Sequence, residues 1–143
     1  MKIIAVINQK GGVGKTTTTI NVAAELARAG RRTLIIDLDP QAHATVGLGL
    51  DPEQTAQRTI GEVLLSETEP LASIVLETYL PGLSIAPASI ALSKADALLH
   101  TRHFREQRLQ RVLADLNGFD YVLIDCPRWE CCRSMRWSLP SIF

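Results

Sequence analysis

Two lysines, Lys10 and Lys15, flank the glycines of NQKGGVGKTTTT, residues 8–19, and glycine set beside lysine and threonine is suited to phosphate. Glycines let the backbone wrap closely round an anion, so that successive N–H groups converge on one point. A helix beginning at Lys15 and Thr16 adds the positive end of its dipole at the same point. The candidate residues for holding a polyphosphate are therefore Gly11, Gly12, Val13, Gly14, Lys15, Thr16 and Thr17, with Lys10 beside them either as a further phosphate contact or as a solvated lysine. Lys15 can reach the β and γ phosphates, and the Thr16 hydroxyl is placed to bind Mg²⁺. One lysine suffices for this chemistry, which leaves Lys10 to be explained.

Three carboxylates join the list. RTLIIDLD, residues 32–39, ends in Asp37 and Asp39, and YVLIDC, residues 121–126, carries Asp125 at its end. Asp125 stands where a Walker B acid holds Mg²⁺ through water. Asp37 and Asp39 are open to two readings, as acids of the site or as loop and cap residues, because Asp is frequent after strands.

The elements that must position these groups follow from hydrophobic pattern. Residues 2–8, 32–39, 82–89 and 121–126 are short, apolar, β-branched runs of the kind found in buried parallel strands. Residues 16–29 place Ile20, Ala23, Ala24 and Ala27 on one helical face, with Gly30 as the stop. Further helices are expected at 59–65, 70–77, 90–99 and 104–116, and residues 40–50 read as a loop. Strands alternating with helices predict an α/β fold, a doubly wound, mostly parallel sheet of the P-loop NTPase type with right-handed crossovers. In such a sheet ligands bind outside the carboxyl ends of the strands, where Asn8, Asp37, Asp39 and Asp125 lie.

Composition narrows the class. A 143-residue chain with 46% hydrophobic and 21% charged residues suits one globular domain with a real core. Fifteen basic and fifteen acidic residues cancel, so overall charge favours neither nucleic acid nor membrane. The opening apolar run is too short for a signal peptide or a membrane span, which makes the expected location cytoplasmic. Cys126, Cys131 and Cys132 form neither a disulfide framework nor a usual zinc spacing.

The ordinary phosphate loop has glycine where this chain has Gln9, and KGGVGKT instead resembles the deviant loop of the ParA/MinD family of ATPases. Together NQKGGVGKTTT, LIIDLDPQAHATVGLG and DYVLIDCP are similar to the ParA/Soj branch over residues 1–127, the partition ATPases of chromosomes and plasmids. DPQAHATVGLG favours that branch over MinD-type membrane binders and nitrogenase iron proteins. The resemblance implies ATP and Mg²⁺ as cofactors and catalytic roles for Lys10, Lys15 and Asp39. Lys15 would serve the phosphates of its own subunit, and Lys10 those of a partner in an ATP-sandwiched homodimer. Asp39 would position or activate the attacking water and, with Thr16 and Asp125, belong to the metal set; Asp37 would lie nearer the metal's second shell. His43 is given no catalytic role. The resemblance further implies a ParB-like partner, non-specific DNA binding with nucleoid association, and no membrane.

After Pro127 the resemblance stops. RWECCRSMRWSLPSIF, residues 128–143, holds both tryptophans and two of the three cysteines and follows neither strand nor helix period. Its expected origin is translation out of frame: with free choice of synonymous codons from Arg128, the third-base frame reads VGMLSINAVVAAEHL, an apolar helical pattern. Residues 1–127 would then be the N-terminal part of the ATPase domain, its sheet incomplete at the C-terminus. In the family the adenine pocket, much of the dimer surface and the DNA-binding residues lie largely beyond this point. The alternative to a working ATPase is therefore a truncated, inactive remnant of one.

Overall fold

The computed structural model describes residues 1–8, 10–99 and 107–126. Strands β1 (Lys2–Val6), β2 (Thr33–Asp37), β4 (Leu83–Ala86) and β5 (Tyr121–Asp125) run parallel, and the short β3 (Leu76–Glu77) pairs antiparallel with β4. Their order in the sheet is β1-β5-β2-β4-β3. Every residue of β2 is buried, as expected of a parallel strand covered on both faces.

Strand parity sorts the core into two layers. Leu34, Ile36, Ala86, Val122 and Ile124 face the side packed by α3 (Ile60–Leu65), α4 (Ala91–Leu99) and α5 (Arg108–Ala114). Ile35, Leu83, Ile85 and Leu123 face the side packed by α1 (Lys15–Arg28) and α2 (His43–Gly47). Asp37 and Asp125 share the parity of Ile35 and Leu123, so both carboxylates lie on the α1 and α2 face.

Local chemistry sets the helix ends. Thr59 starts α3 with a reciprocal capping box to Glu62. At its other end Arg108 of α5 donates from Nε to Leu64 O at 3.1 Å and from a terminal nitrogen to Val63 O at 3.2 Å. A guanidinium there satisfies carbonyls that the helix leaves open and favours the negative end of its dipole.

Three expectations change. The stretch expected to be a helix over 70–77 is a 3-10 turn, Leu71–Ile74, followed by β3. Leu71 and Ile74, three apart, supply the buried contacts of a 3-10 turn, and pairing of Leu76 with Ile85 captures the rest for the sheet. The stretch read as a loop over 40–50 contains α2, which is too short to declare a period and is held by tertiary hydrogen bonds. In α1 the buried stripe is Thr19, Ala23 and Ala27, with Ile20 and Ala24 half-buried beside it. Of the helix expected over 104–116, residues 104–106 lie outside the described residues, as does the whole expected tail, 128–143.

Candidate functional site

Between β1 and α1 the chain makes the expected loop. Gly12 and Gly14 have φ of 72° and 84°, in the left-handed region. A Cβ at either would meet nothing within 4 Å, so backbone conformation, not crowding, asks for glycine. Asn8 Oδ1 accepts the Lys10 N–H at 2.9 Å and turns the entry to the loop. Gly14 caps α1 without any side-chain hydrogen bond, and the first turn holds no acid. The first intrahelical bond runs from Thr18 N to Gly14 O at 2.8 Å, which leaves the N–H groups of Gly14, Lys15, Thr16 and Thr17 without an intrahelical acceptor. Residues 10–14 and Thr17 are exposed, and Lys15 and Thr16 are half-buried. An uncapped, acid-free helix start under an open glycine loop is a place for an anion.

Register brings the acids to this loop. Val6, Asp125 and Asp37 are neighbours across β1, β5 and β2. Asp125 is fully buried; its Oδ1 lies 3.3 Å from the Thr19 hydroxyl, while its buried Oδ2 has no hydrogen-bond partner among the described residues. Burial pushes its pKa up and the Asp39 charge adds to the rise, whereas the Thr16 and Thr19 hydroxyls and Lys15 pull it down. Thr16, Lys15, Asp39 and Asp125 thus form one electrostatic unit. A buried carboxylate oxygen left over beside a threonine hydroxyl fits a hard cation with oxygen ligands.

Asp37 is employed differently. Its Oδ1 accepts from Asp39 N at 3.0 Å, and its Oδ2 accepts from Thr45 N at 2.9 Å and Thr45 Oγ1 at 2.8 Å. Thr45 Oγ1 in turn accepts from Ala88 N at 3.1 Å, so one buried network ties β2, α2 and the end of β4. Burial raises the Asp37 pKa from 3.8 to about 6, against the lowering effect of these hydrogen bonds. The acid that the resemblance puts near the metal's second shell is, by its contacts, the anchor of α2.

Asp39 lies just past β2 and is half-buried. Its Oδ1 accepts from Gln41 N, and its Oδ2 meets His43 Nδ1, each at 2.9 Å. Between them Ala42 sits at φ 54°, a left-handed conformation that costs a residue with a Cβ about 1–2 kcal/mol. Ala42 N also donates to Asp39 O at 2.8 Å. Thr19 and Thr45 escaped the sequence reading. Thr19 was legible only as the last member of a threonine run, one turn after Lys15, and Thr45 as a polar residue in an apolar stretch. Among the described residues no cluster of three or more metal-ligating side chains occurs and no helix is long and apolar enough to cross a membrane. Cys131 and Cys132 lie outside the described residues.

A glycine loop from the first strand into an uncapped helix, with an acid ending the adjoining parallel strand, defines a P-loop NTPase-like α/β fold. The chain belongs to the AAA-domain family of ParA/MinD-type ATPases, whose model matches residues 1–130. It is 43% identical over 127 residues to the sporulation initiation inhibitor protein Soj of Bacillus subtilis, covering 88% of this chain and 49% of Soj. The chromosome partitioning protein ParA of Myxococcus xanthus is 46% identical over 127 residues, covering 88% of this chain and 44% of that protein. The fold matches cobyrinic acid a,c-diamide synthase of Mycobacterium smegmatis, solved with an ATP analogue and magnesium, at a TM-score of 0.84 and 46% identity. That match covers 90% of this chain and 52% of the synthase. The chain spans about half the length of the curated relatives it matches.

Proposed function

We propose that this chain is a ParA-like ATPase that binds and hydrolyses Mg-ATP in chromosome or plasmid partitioning. The observation that carries the reading is the buried Oδ2 of Asp125, without a partner among the described residues and set beside Thr16 and Lys15 at the uncapped start of α1. Thr16 and Asp125, with Asp39 beside them, would hold Mg²⁺, which when bound neutralises phosphate charge. The backbone N–H groups of residues 11–17 orient the phosphates and Lys15 offsets their negative charge. Asp39 accepts a hydrogen bond from the attacking water.

Lys10 lies exposed at the loop's edge, where a second subunit's phosphates could receive it. A cation supplied only on association would tie hydrolysis to an ATP-dependent homodimer. Stimulation by a ParB-like partner and non-specific DNA binding belong to the same reading.

ATP turnover measured at several protein concentrations tests it. Specific activity should rise with concentration, Lys10→Ala should flatten the rise, and Lys15→Ala should abolish turnover. Wild-type turnover no higher than that of Lys15→Ala would instead identify the chain as an inactive remnant.

A further inference from the structure

The contact between Asp39 and His43 belongs to no part of the reading so far. A carboxylate only accepts hydrogen bonds, so at 2.9 Å from Asp39 Oδ2 the His43 Nδ1 carries the proton and donates it. Gln41 N holds the other oxygen, and each oxygen keeps a second acceptor site for water. With one donor on each oxygen, the carboxylate plane is fixed relative to the β2 end.

Stability does not account for the pair. The His43 side chain is 64% exposed and that of Asp39 19%, and ion pairs open to solvent contribute about 0–1 kcal/mol. Yet the backbone immediately before His43 is held in the left-handed region at Ala42, a conformation that persists only where the surroundings over-determine it. The buried anchor of Thr45 on Asp37 supplies that determination, two residues beyond His43. His43 is thereby presented to Asp39 from a rigid element, not from a mobile loop.

We propose that His43 is a positioning residue, its Nδ1–H holding the Asp39 carboxylate in the orientation that serves the attacking water. This rests on the proposed role of Asp39 in ATP hydrolysis. Asparagine places a donor where Nδ1 stands, and glutamine places one where Nε2 stands, which separates the contact from mere bulk or polarity.

In steady-state ATP hydrolysis by the full chain, His43→Ala should lower kcat about 10-fold with KM for ATP within about two-fold of wild type. His43→Asn should restore most of the loss and His43→Gln should not. Unfolding midpoints of all three should match wild type, since the side chain is largely exposed. In parallel, ¹⁵N spectra of the imidazole should show His43 with the proton on Nδ1, moving to Nε2 in Asp39→Ala. A kcat for His43→Ala equal to wild type, or equal rescue by Gln and Asn, overturns the proposal; so does a wild-type imidazole protonated on Nε2. Absence of wild-type turnover above Lys15→Ala overturns both the ATPase reading and this role. The ¹⁵N result tells that failure apart from a failure of the hydrogen bond itself.

Discussion

Asp37 and Asp125 end adjacent parallel strands, pair in register, face the same side of the sheet and are both fully buried. Asp37 receives three hydrogen bonds and fastens α2 to the sheet, whereas Asp125 keeps one buried oxygen without a partner among the described residues, beside the glycine loop. A buried carboxylate whose acceptor sites are filled by the protein acts as a structural tie. One left short of donors in the same core remains available to a ligand, because burying an unpaired charge is costly until something compensates it.

The comparison breaks most visibly in catalysis. Asp125→Ala should cut ATP turnover by about 100-fold or more while leaving metal-free stability equal to or above wild type, since it removes a buried, under-solvated acid. Turnover and urea unfolding together check this; loss of folding in Asp125→Ala would erase the distinction. Asp37→Ala should do the reverse, costing about 3 kcal/mol of stability by stranding the Thr45 and Asp39 donors. Its urea midpoint measures the loss.

Proton linkage sharpens the same contrast. A folded-state pKa of about 6 for Asp37, above its ordinary 3.8, means that the folded chain holds this proton more tightly than the unfolded chain. The contribution of Asp37 to stability therefore falls as pH rises through that window, by about 3 kcal/mol from start to finish. Urea unfolding of metal-free wild type and Asp37→Asn across this range should show a steeper decline in the first than in the second, where Asp125 alone of the two buried acids still contributes. At the next lower magnitude, Thr19→Val should cost about 1 kcal/mol by removing the hydroxyl that faces Asp125 Oδ1. The smallest effect belongs to Ala42→Gly, where relief at φ 54° opposes loss of a buried methyl and the net change stays within about 1 kcal/mol.

Much of the site's ancestry was legible in local pattern. The glycines, Lys15 and Thr16 read correctly as a glycine loop leading from a strand into a helix, because the conformations required of Gly12 and Gly14 are written in residue type. The four parallel strands were legible because strands buried on both faces are continuously apolar. Helix α2 was not, since five residues cannot show a helical period and its start at Ala42 uses no recognisable cap residue. Strand β3 was hidden for a similar reason: two residues become a strand only by meeting the edge of β4.

By itself the sequence determined the glycine loop, the strand ends that carry acids, and membership of a family in which the chain spans about half the length of the curated relatives it matches. Those features depend on backbone preference and on apolar runs, which short stretches of chain contain in full. Only the tertiary structure decided that Asp37 ties down a helix, that Asp125 retains an oxygen unsatisfied among the described residues, and that His43 reaches Asp39. Each of these depends on which donors arrive from other segments. Thr19 lies 106 residues from Asp125, and Ala88 lies 43 from Thr45. A carboxylate's work is set by the company that the fold brings to it.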